Sequence, residues 1–218
     1  MLWNRAFENQ EGMAMAKLYF RYGAMNSGKS TLLMQVAHNY EERGMDVLVM
    51  KPGVDKKGED QIVSRLGVRR KVDRLVPPEA DLREIVKEEG QKRSISCILV
   101  DEAQFLQPAQ VNQLFACVID LGIPCICYGL RTDFQGEGFP GSNRLLQLAH
   151  SIEELKTICR CGRKATMNIR LAGGKPVFEG AQIAIDGVDQ VVYEAVCGPC
   201  YFKARREAGA VPLNGLEE

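Results

Sequence analysis

Residues Tyr22 to Thr31 read "YGAMNSGKST", and the rest of the chain is best read outward from them. Gly23, Gly28, Lys29 and Ser30 complete the pattern G-x-x-x-x-G-K-[ST]. A strand-like run, "AKLYFRYG", comes before it. After it, "KSTLLMQVAHNYEERG" carries Leu32, Leu33, Val36, Ala37 and Tyr40 at helical spacing. In that setting the glycines let the backbone wrap so that its N–H groups face an anion. The helix N-terminus adds a favourable dipole and unpaired donors. Lys29 brings a mobile charge to the outer phosphates, and Ser30 offers a hydroxyl to Mg²⁺. The bland alternative is a chance run of glycines in a turn, and both flanks argue against it.

Further strands and helices alternate along the chain. "MDVLVMKP" is a second strand ended by Pro52, and the charged "GVDKKGEDQIVSRLGVRRK" reads as a loop. "PPEADLREIVKEEG" and "QPAQVNQLFACVIDLG" are helices. Between them "SISCILVDEAQFL" is a buried strand and a turn, and "IPCICYGL" is a fourth strand with Pro124 at its start or edge. This order predicts an α/β fold whose parallel sheet is covered on both faces. After Leu130 the pattern turns glycine-rich. A boundary is placed near residue 151, with a small second domain from 151 to 205 and tails at 1–14 and 206–218. Met15 is a candidate natural start.

The 218 residues are 45% hydrophobic, with 28 Lys and Arg against 28 Asp and Glu. That fits one medium domain with a small appendage. Neutral charge weighs against a polyanion-binding surface, so no nucleic acid partner is expected. No apolar run approaches the roughly 20 residues that span a bilayer, and no signal segment opens the chain. A cytoplasmic protein without membrane contact is expected.

Asp101 closes the run "ILVDEAQF" at the end of a buried strand, where a carboxylate can hold Mg²⁺ directly or through water. The plain alternative is a cap of the turn. Glu102, next to it, would activate water in an ATPase or accept an alcohol's proton in a kinase, and the motif alone does not choose. It can also be a solvated turn residue. His38 and His150 read as packing or surface residues.

Eight cysteines need an account. Cys97, Cys117, Cys125 and Cys127 sit in apolar runs and read as small core residues. Cys159-x-Cys161 and Cys197-x-x-Cys200 are set among Gly, Arg, Lys and Pro. Four thiolates can hold a structural Zn²⁺ tetrahedrally, which lets a segment with a thin core fold. Disulfides or unrelated surface thiols are the alternatives, and the basic residues nearby leave a nucleic-acid grip open.

Taken together, "GAMNSGKST", "KPGVD", "SRLG", "VDEAQF", "YGLRTDFQGEGFPGS", "ELKTICRCGRKA" and "YEAVCGPCYF" resemble the zinc-containing thymidine kinase family, in its bacterial form. The similarity runs from about Lys17 to Lys203. It implies a RecA-like P-loop NTPase domain over 15–150. A zinc-ribbon-like domain over 151–205 would follow, with a lasso loop that covers the nucleoside. It also implies transfer of the γ-phosphoryl of ATP to the 5'-hydroxyl of thymidine or deoxyuridine, feedback inhibition by dTTP, and a homotetramer.

Carried onto this chain, the resemblance makes Glu102 the general base, with Lys29 and Asp101 beside it in the catalytic set. Gly23, Ala24, Met25, Asn26, Ser27, Gly28, Lys29 and Ser30, with Asp101, Glu102, Ala103, Gln104 and Lys57, form the expected ATP–Mg²⁺ site. Met25, Phe105, Leu130, Phe134 and Phe139 would surround the base. Gln182, Ile183, Ala184, Ile185 and Tyr193 would belong to the lasso. The aromatics fall at the C-terminal ends of strand-like runs, the side on which an open α/β sheet binds ligands. They can also simply pin the loops.

The family carries an arginine where this chain has Lys57, a point charge without the bidentate fork. Setting the resemblance aside, two other classes stay open: a P-loop ATPase acting on DNA or RNA, and a zinc-stabilised nucleotide sensor without catalysis.

Overall fold

Four runs of buried apolar residues organise the centre of the molecule. The computed structural model describes residues 15–54, 60–182 and 191–210. β1 (Leu18–Tyr22) leads through the glycine loop into α1 (Lys29–Glu41), and β2 (Asp46–Pro52) follows. A hairpin of β3 (Gln61–Val63) and β4 (Arg69–Lys71), then β5 (Arg74–Val76), precede α2 (Leu82–Gly90). β6 (Ile95–Val100) ends at the acidic pair. A 3-10 turn over Ala103–Phe105 then leads to α3 (Pro108–Leu121), β7 (Cys125–Gly129), α4 (Pro140–Leu148) and β8 (Ser151–Glu154). The strands pair in the order β5-β2-β6-β7-β1-β8, all parallel.

The unbroken apolar strands have a simple cause: each face of the sheet meets helices. Leu48, Met50, Ile98 and Val100 pack with Leu82, Val86, Leu114 and Leu145 from α2, α3 and α4. The alternate residues Val47, Val49, Cys97, Leu99 and Tyr128 pack with Leu33, Met34 and Ala37 of α1. Cys97, Cys117, Cys125 and Cys127 are fully buried, as small apolar residues should be.

The expected parallel sheet is there, with six strands rather than four. β5 and β8 escape a reading by hydrophobic runs because each is short and partly exposed. β8 starts where the second domain is placed from sequence, yet it pairs with β1 and completes the sheet. The segment read as a loop after Pro52 holds the β3–β4 hairpin, since Ile62 and Val72 are buried against the α1 side of the core.

Past the sheet come β9 (Thr157–Ile158), β10 (Lys164–Ala165), β11 (Met167–Ala172), β12 (Lys175–Val177), β13 (Val192–Val196) and α5 (Gly198–Glu207). β9 and β10 form a hairpin, and β12-β11-β13 an antiparallel sheet. The core here is small: Ile169, Phe178, Val196, Tyr201 and Ala204, with Cys159 and Cys197. α5 continues through Arg206 and Glu207, into the stretch expected as a tail. The calls on residues 1–14, Lys57, Ile183, Ala184, Ile185 and 211–218 lie outside the described residues.

Of the two histidines, one lies on the surface and one is packed. His38 pairs with Glu42 on the exposed side of α1. His150 Nδ1 accepts the Leu18 N–H at 3.0 Å, and its ring stacks on Phe115. Among the described residues, no helix is long and apolar enough to cross a membrane.

Candidate active site and metal centre

The glycine loop sits at the C-terminal end of β1 and closes onto α1. Gly28 caps that helix with φ 79°, a left-handed conformation that glycine adopts without steric cost. Gly23 is required by close approach, since a Cβ there would meet the Leu155 carbonyl oxygen at 2.5 Å and the Ser27 side chain. Asn26 is also left-handed, at φ 65°. The Lys29 ammonium folds back into the loop and donates to the carbonyls of Ala24 at 2.9 Å and Gly23 at 3.1 Å. It is 8% exposed. A buried cation held on neutral carbonyls is poised to exchange them for an anion, which would bind it more strongly.

Ser30 joins this loop to the acidic pair. Its hydroxyl donates to Asp101 Oδ2 at 2.9 Å. Asp101 is 3% exposed, and its Oδ1 is a buried acceptor with no hydrogen-bond donor among the described residues. Burial, and then the neighbouring Glu102 carboxylate, push the Asp101 carboxyl up to about 7; the Ser30 bond, the Glu102 backbone N–H and Lys29 pull the other way. A hydroxyl oxygen beside an unsatisfied buried carboxylate oxygen is the donor set a hard divalent cation takes.

Glu102 has a left-handed backbone, φ 49° and ψ 38°. Such a conformation costs free energy in a non-glycine residue. Its Oε2 accepts from Gln104 Nε2 at 2.6 Å. Gln104 is 1% exposed, and its Oε1 accepts the Leu130 N–H at 3.0 Å. The backbone donor thus fixes which end of the Gln104 amide faces the carboxylate. The amide of Gln104, a residue expected at the nucleotide, links the Glu102 carboxylate to the Leu130 backbone. Ala103 is fully buried beneath the same turn.

The expected base-pocket residues fall into groups. Phe105 and Phe139 meet edge to face, with centroids 5.5 Å apart. Phe134 is 1% exposed, with the Arg170 guanidinium 3.8 Å over its ring and Tyr193 at its edge. Leu130 is nearly buried and held by Gln104. Gln182 Nε2 donates to Asp133 Oδ2 at 2.9 Å, which brings the start of the expected lasso to this loop.

Sequence reading missed the residues that join these parts. Asn168, on β11, accepts the Met25 N–H and donates to the Thr132 carbonyl. Tyr201, on α5, donates to the Phe134 carbonyl at 3.0 Å, and Arg205 to that of Gln135 at 3.1 Å. Arg170 donates to the carbonyls of Glu179 and Ala181. The available signal was a polar residue within a strand-like run, "KATMNIRLAG", since buried polar groups must be partnered.

Cys159, Cys161, Cys197 and Cys200 are brought together, with all four sulfurs within 4.8 Å of one another. Cys161 and Cys197 are 3.5 Å apart, Sγ to Sγ. A tetrahedral site with Zn–S bonds of ~2.3 Å separates its sulfurs by ~3.8 Å, so these side chains fit zinc with small adjustment. The thiols differ in their metal-free state. At Cys159 burial opposes ionisation, yet N–H groups of Cys161 and Cys197 and neighbouring thiols outweigh it and draw the thiol down to about 6. Hydrogen bonds to Cys197, Cys161 and Cys159 push Cys200 up to about 12.

A parallel-sheet α/β protein with a glycine loop at its first strand, a carboxylate pair at a neighbouring strand end and a four-cysteine cluster is the class that fold and site define. The thymidine kinase family model matches residues 16–201, and the chain belongs to that family. It is 46% identical to a thymidine kinase of Ruegeria pomeroyi over 198 residues, covering 90% of this chain and 98% of that one. It is 50% identical over 185 residues to one of Shewanella oneidensis, with 84% and 95% covered. A thymidine kinase of Chromobacterium violaceum is 49% identical over 189 residues, with 86% and 98% covered.

Proposed function

We propose that this protein is an ATP-dependent thymidine kinase, which moves the γ-phosphoryl of ATP to the 5'-hydroxyl of thymidine to give dTMP. Its family is named for that activity. Within the molecule, the observation that carries the reading is the 2.9 Å contact between Ser30 and Asp101, which sets the glycine loop beside the acidic pair. We read residues 15–150 as a RecA-like P-loop domain. Residues 151–205 are its zinc-ribbon-like companion, with β8 shared by the main sheet. A homotetramer and inhibition by dTTP accompany this reading, as does a cytoplasmic site of action.

The mechanism needs little covalent participation by the protein. The N–H groups of the loop and the α1 N-terminus receive the phosphates. Lys29 exchanges its carbonyl partners for a phosphate oxygen and balances the charge that grows there. Ser30 and Asp101 would hold Mg²⁺, which supplies charge neutralisation at the phosphates when bound. Glu102 accepts the proton of the 5'-hydroxyl as the new bond forms, and Gln104 keeps its carboxylate aimed. Met25, Leu130 and the Phe105–Phe139 pair wall the base, with Phe134 on the loop that joins Leu130 to Phe139. Gln182, Ile183, Ala184, Ile185 and Tyr193 are assigned to the segment that recognises the thymine base. Lys57 assists at the transferring phosphoryl as a point charge. The cysteine cluster would hold Zn²⁺ with no open coordination position, so that metal is structural.

One methyl in a snug pocket is worth only about 1–3 kcal/mol, so deoxyuridine should also be accepted. The test is product analysis. ADP and dTMP should form in equal amounts from ATP and thymidine. Phosphate release driven by single-stranded DNA, with no monophosphate made, would replace this reading with a nucleic-acid-dependent ATPase.

A further inference from the structure

Asn168 belongs to neither loop of the site, yet it holds both. Its Oδ1 accepts the Met25 N–H at 2.7 Å, and its Nδ2 donates to the Thr132 carbonyl at 3.2 Å. Only an amide oxygen accepts and only an amide nitrogen donates, so these two backbone partners fix the orientation of the side chain. The residue is 3% exposed. A buried amide is costly unless both of its ends are used, and here both are. An apolar residue would fill the same place without that cost if packing were the only need.

The two partners lie in different loops of the site. Met25 lies inside the glycine loop, next to Asn26, whose backbone is left-handed, a conformation asparagine tolerates. Thr132 opens the loop that continues through Asp133 and Phe134 to Phe139. The second region grips that loop again through Gln182, Tyr201 and Arg205. Asn168 is itself fixed by β-pairing with Ala195, two residues before Cys197. One amide on a rigid strand is therefore the joint between the phosphate loop and the nucleoside loop.

We propose that Asn168 is a positioning residue that couples the two substrates: occupation of the phosphate loop by ATP favours thymidine binding through this amide, and the reverse. The proposal rests on the kinase reading above. A shift of either loop breaks one arm and leaves a buried polar group unpaired. A ligand that orders one loop holds Asn168 in register and lowers the cost of ordering the other. Linkage makes the effect equal in both directions.

The experiment is calorimetric titration of the full chain with thymidine, with and without a non-hydrolysable ATP analogue and Mg²⁺. Thymidine should bind about 10-fold tighter in the presence of the analogue. In Asn168→Leu, which removes both arms, that ratio should fall to near one while each ligand alone still binds. In Asn168→Asp, an isosteric change that keeps the Met25 arm and loses the donor to Thr132, the ratio should also collapse. If the leucine variant does not fold, the aspartate variant decides. A parental ratio retained by a folded variant overturns the proposal, as does a ratio of one in the parent. A parent that binds the analogue but no thymidine at all overturns the kinase reading instead.

Discussion

β6 and β11 are both strands of six residues, and they occupy different physical worlds. β6 reads "ISCILV", with its last four residues fully buried between two helical layers. β11 reads "MNIRLA" and buries Asn168 and Arg170 as well as Ile169. The first is held by apolar area, and it delivers Asp101 and Glu102 as the chain leaves the sheet. The second lies in a region whose core is thin, and its polar residues tie loops together by directed bonds. Burial builds the platform of this site, while hydrogen bonds and a four-cysteine cluster hold the second region together.

The sharpest way to separate the two regions is to remove the metal. Chelation, or Cys197→Ser, should abolish zinc binding, whose free energy in small zinc domains is about 10–16 kcal/mol. Amide exchange should then accelerate in β11, β13 and α5 by orders of magnitude, while β2, β6 and β7 stay protected. Loss of protection in both regions together would mean that they form one cooperative unit. Next in size is Glu102→Gln, which should lower kcat by about 10³-fold with ATP affinity little changed, as expected for a positioned general base. Turnover near the parental rate would remove Glu102 from the chemistry.

Smaller effects test each core separately. Ile98→Ala in the sheet should cost about 2–5 kcal/mol and lower the melting temperature of the whole chain. Ile169→Ala should instead loosen the cysteine-knit region first, read by zinc release at a temperature where the sheet is intact. Equal effects of the two on zinc release would erase the distinction.

The smallest expected effect concerns Asp101 in metal-free protein. Its carboxyl is raised in the fold to about 7 from an ordinary 3.8. Below the unfolded value both states are protonated and no penalty applies. As the pH rises from there through the folded value, the unfolded chain gives up the proton more readily, and native stability falls. Asp101→Asn cannot ionise, so its melting temperature should gain on the parent across that window and level off above it. A difference that does not vary with pH would mean that the carboxylate is relieved by a partner.

Much of the platform was legible in the chain. The apolar runs at Val47–Met50, Cys97–Val100 and Cys125–Tyr128 read as central strands, and the glycines around Lys29, with a strand before and a helix after, read as a tight anion-binding loop. The two cysteine pairs were readable as a metal cluster, with disulfides or surface thiols left as alternatives until the fold brought the four sulfurs together. β5 and β8 were not legible, because edge strands are short and half exposed and carry no hydrophobic run. The jobs of Gln104 and Asn168 were hidden for another reason. A glutamine beside a carboxylate and an asparagine in a strand have no pattern of their own, and their partners lie 26 and 143 residues away, at Leu130 and Met25.

What the chain determined alone was local chemistry: which residues prefer strand, helix or tight turn, and which side chains can hold phosphate, magnesium or zinc. Those properties follow from short-range sterics and from side-chain type, so they can be read a few residues at a time. Tertiary structure decided the rest: which end of Gln104 faces Glu102, why Asp101 is left with an unpaired oxygen, and that a single amide from the cysteine-knit region spans two loops. Such features depend on burial and on the direction of hydrogen bonds between distant segments, which exist only once the sheet has set those segments side by side.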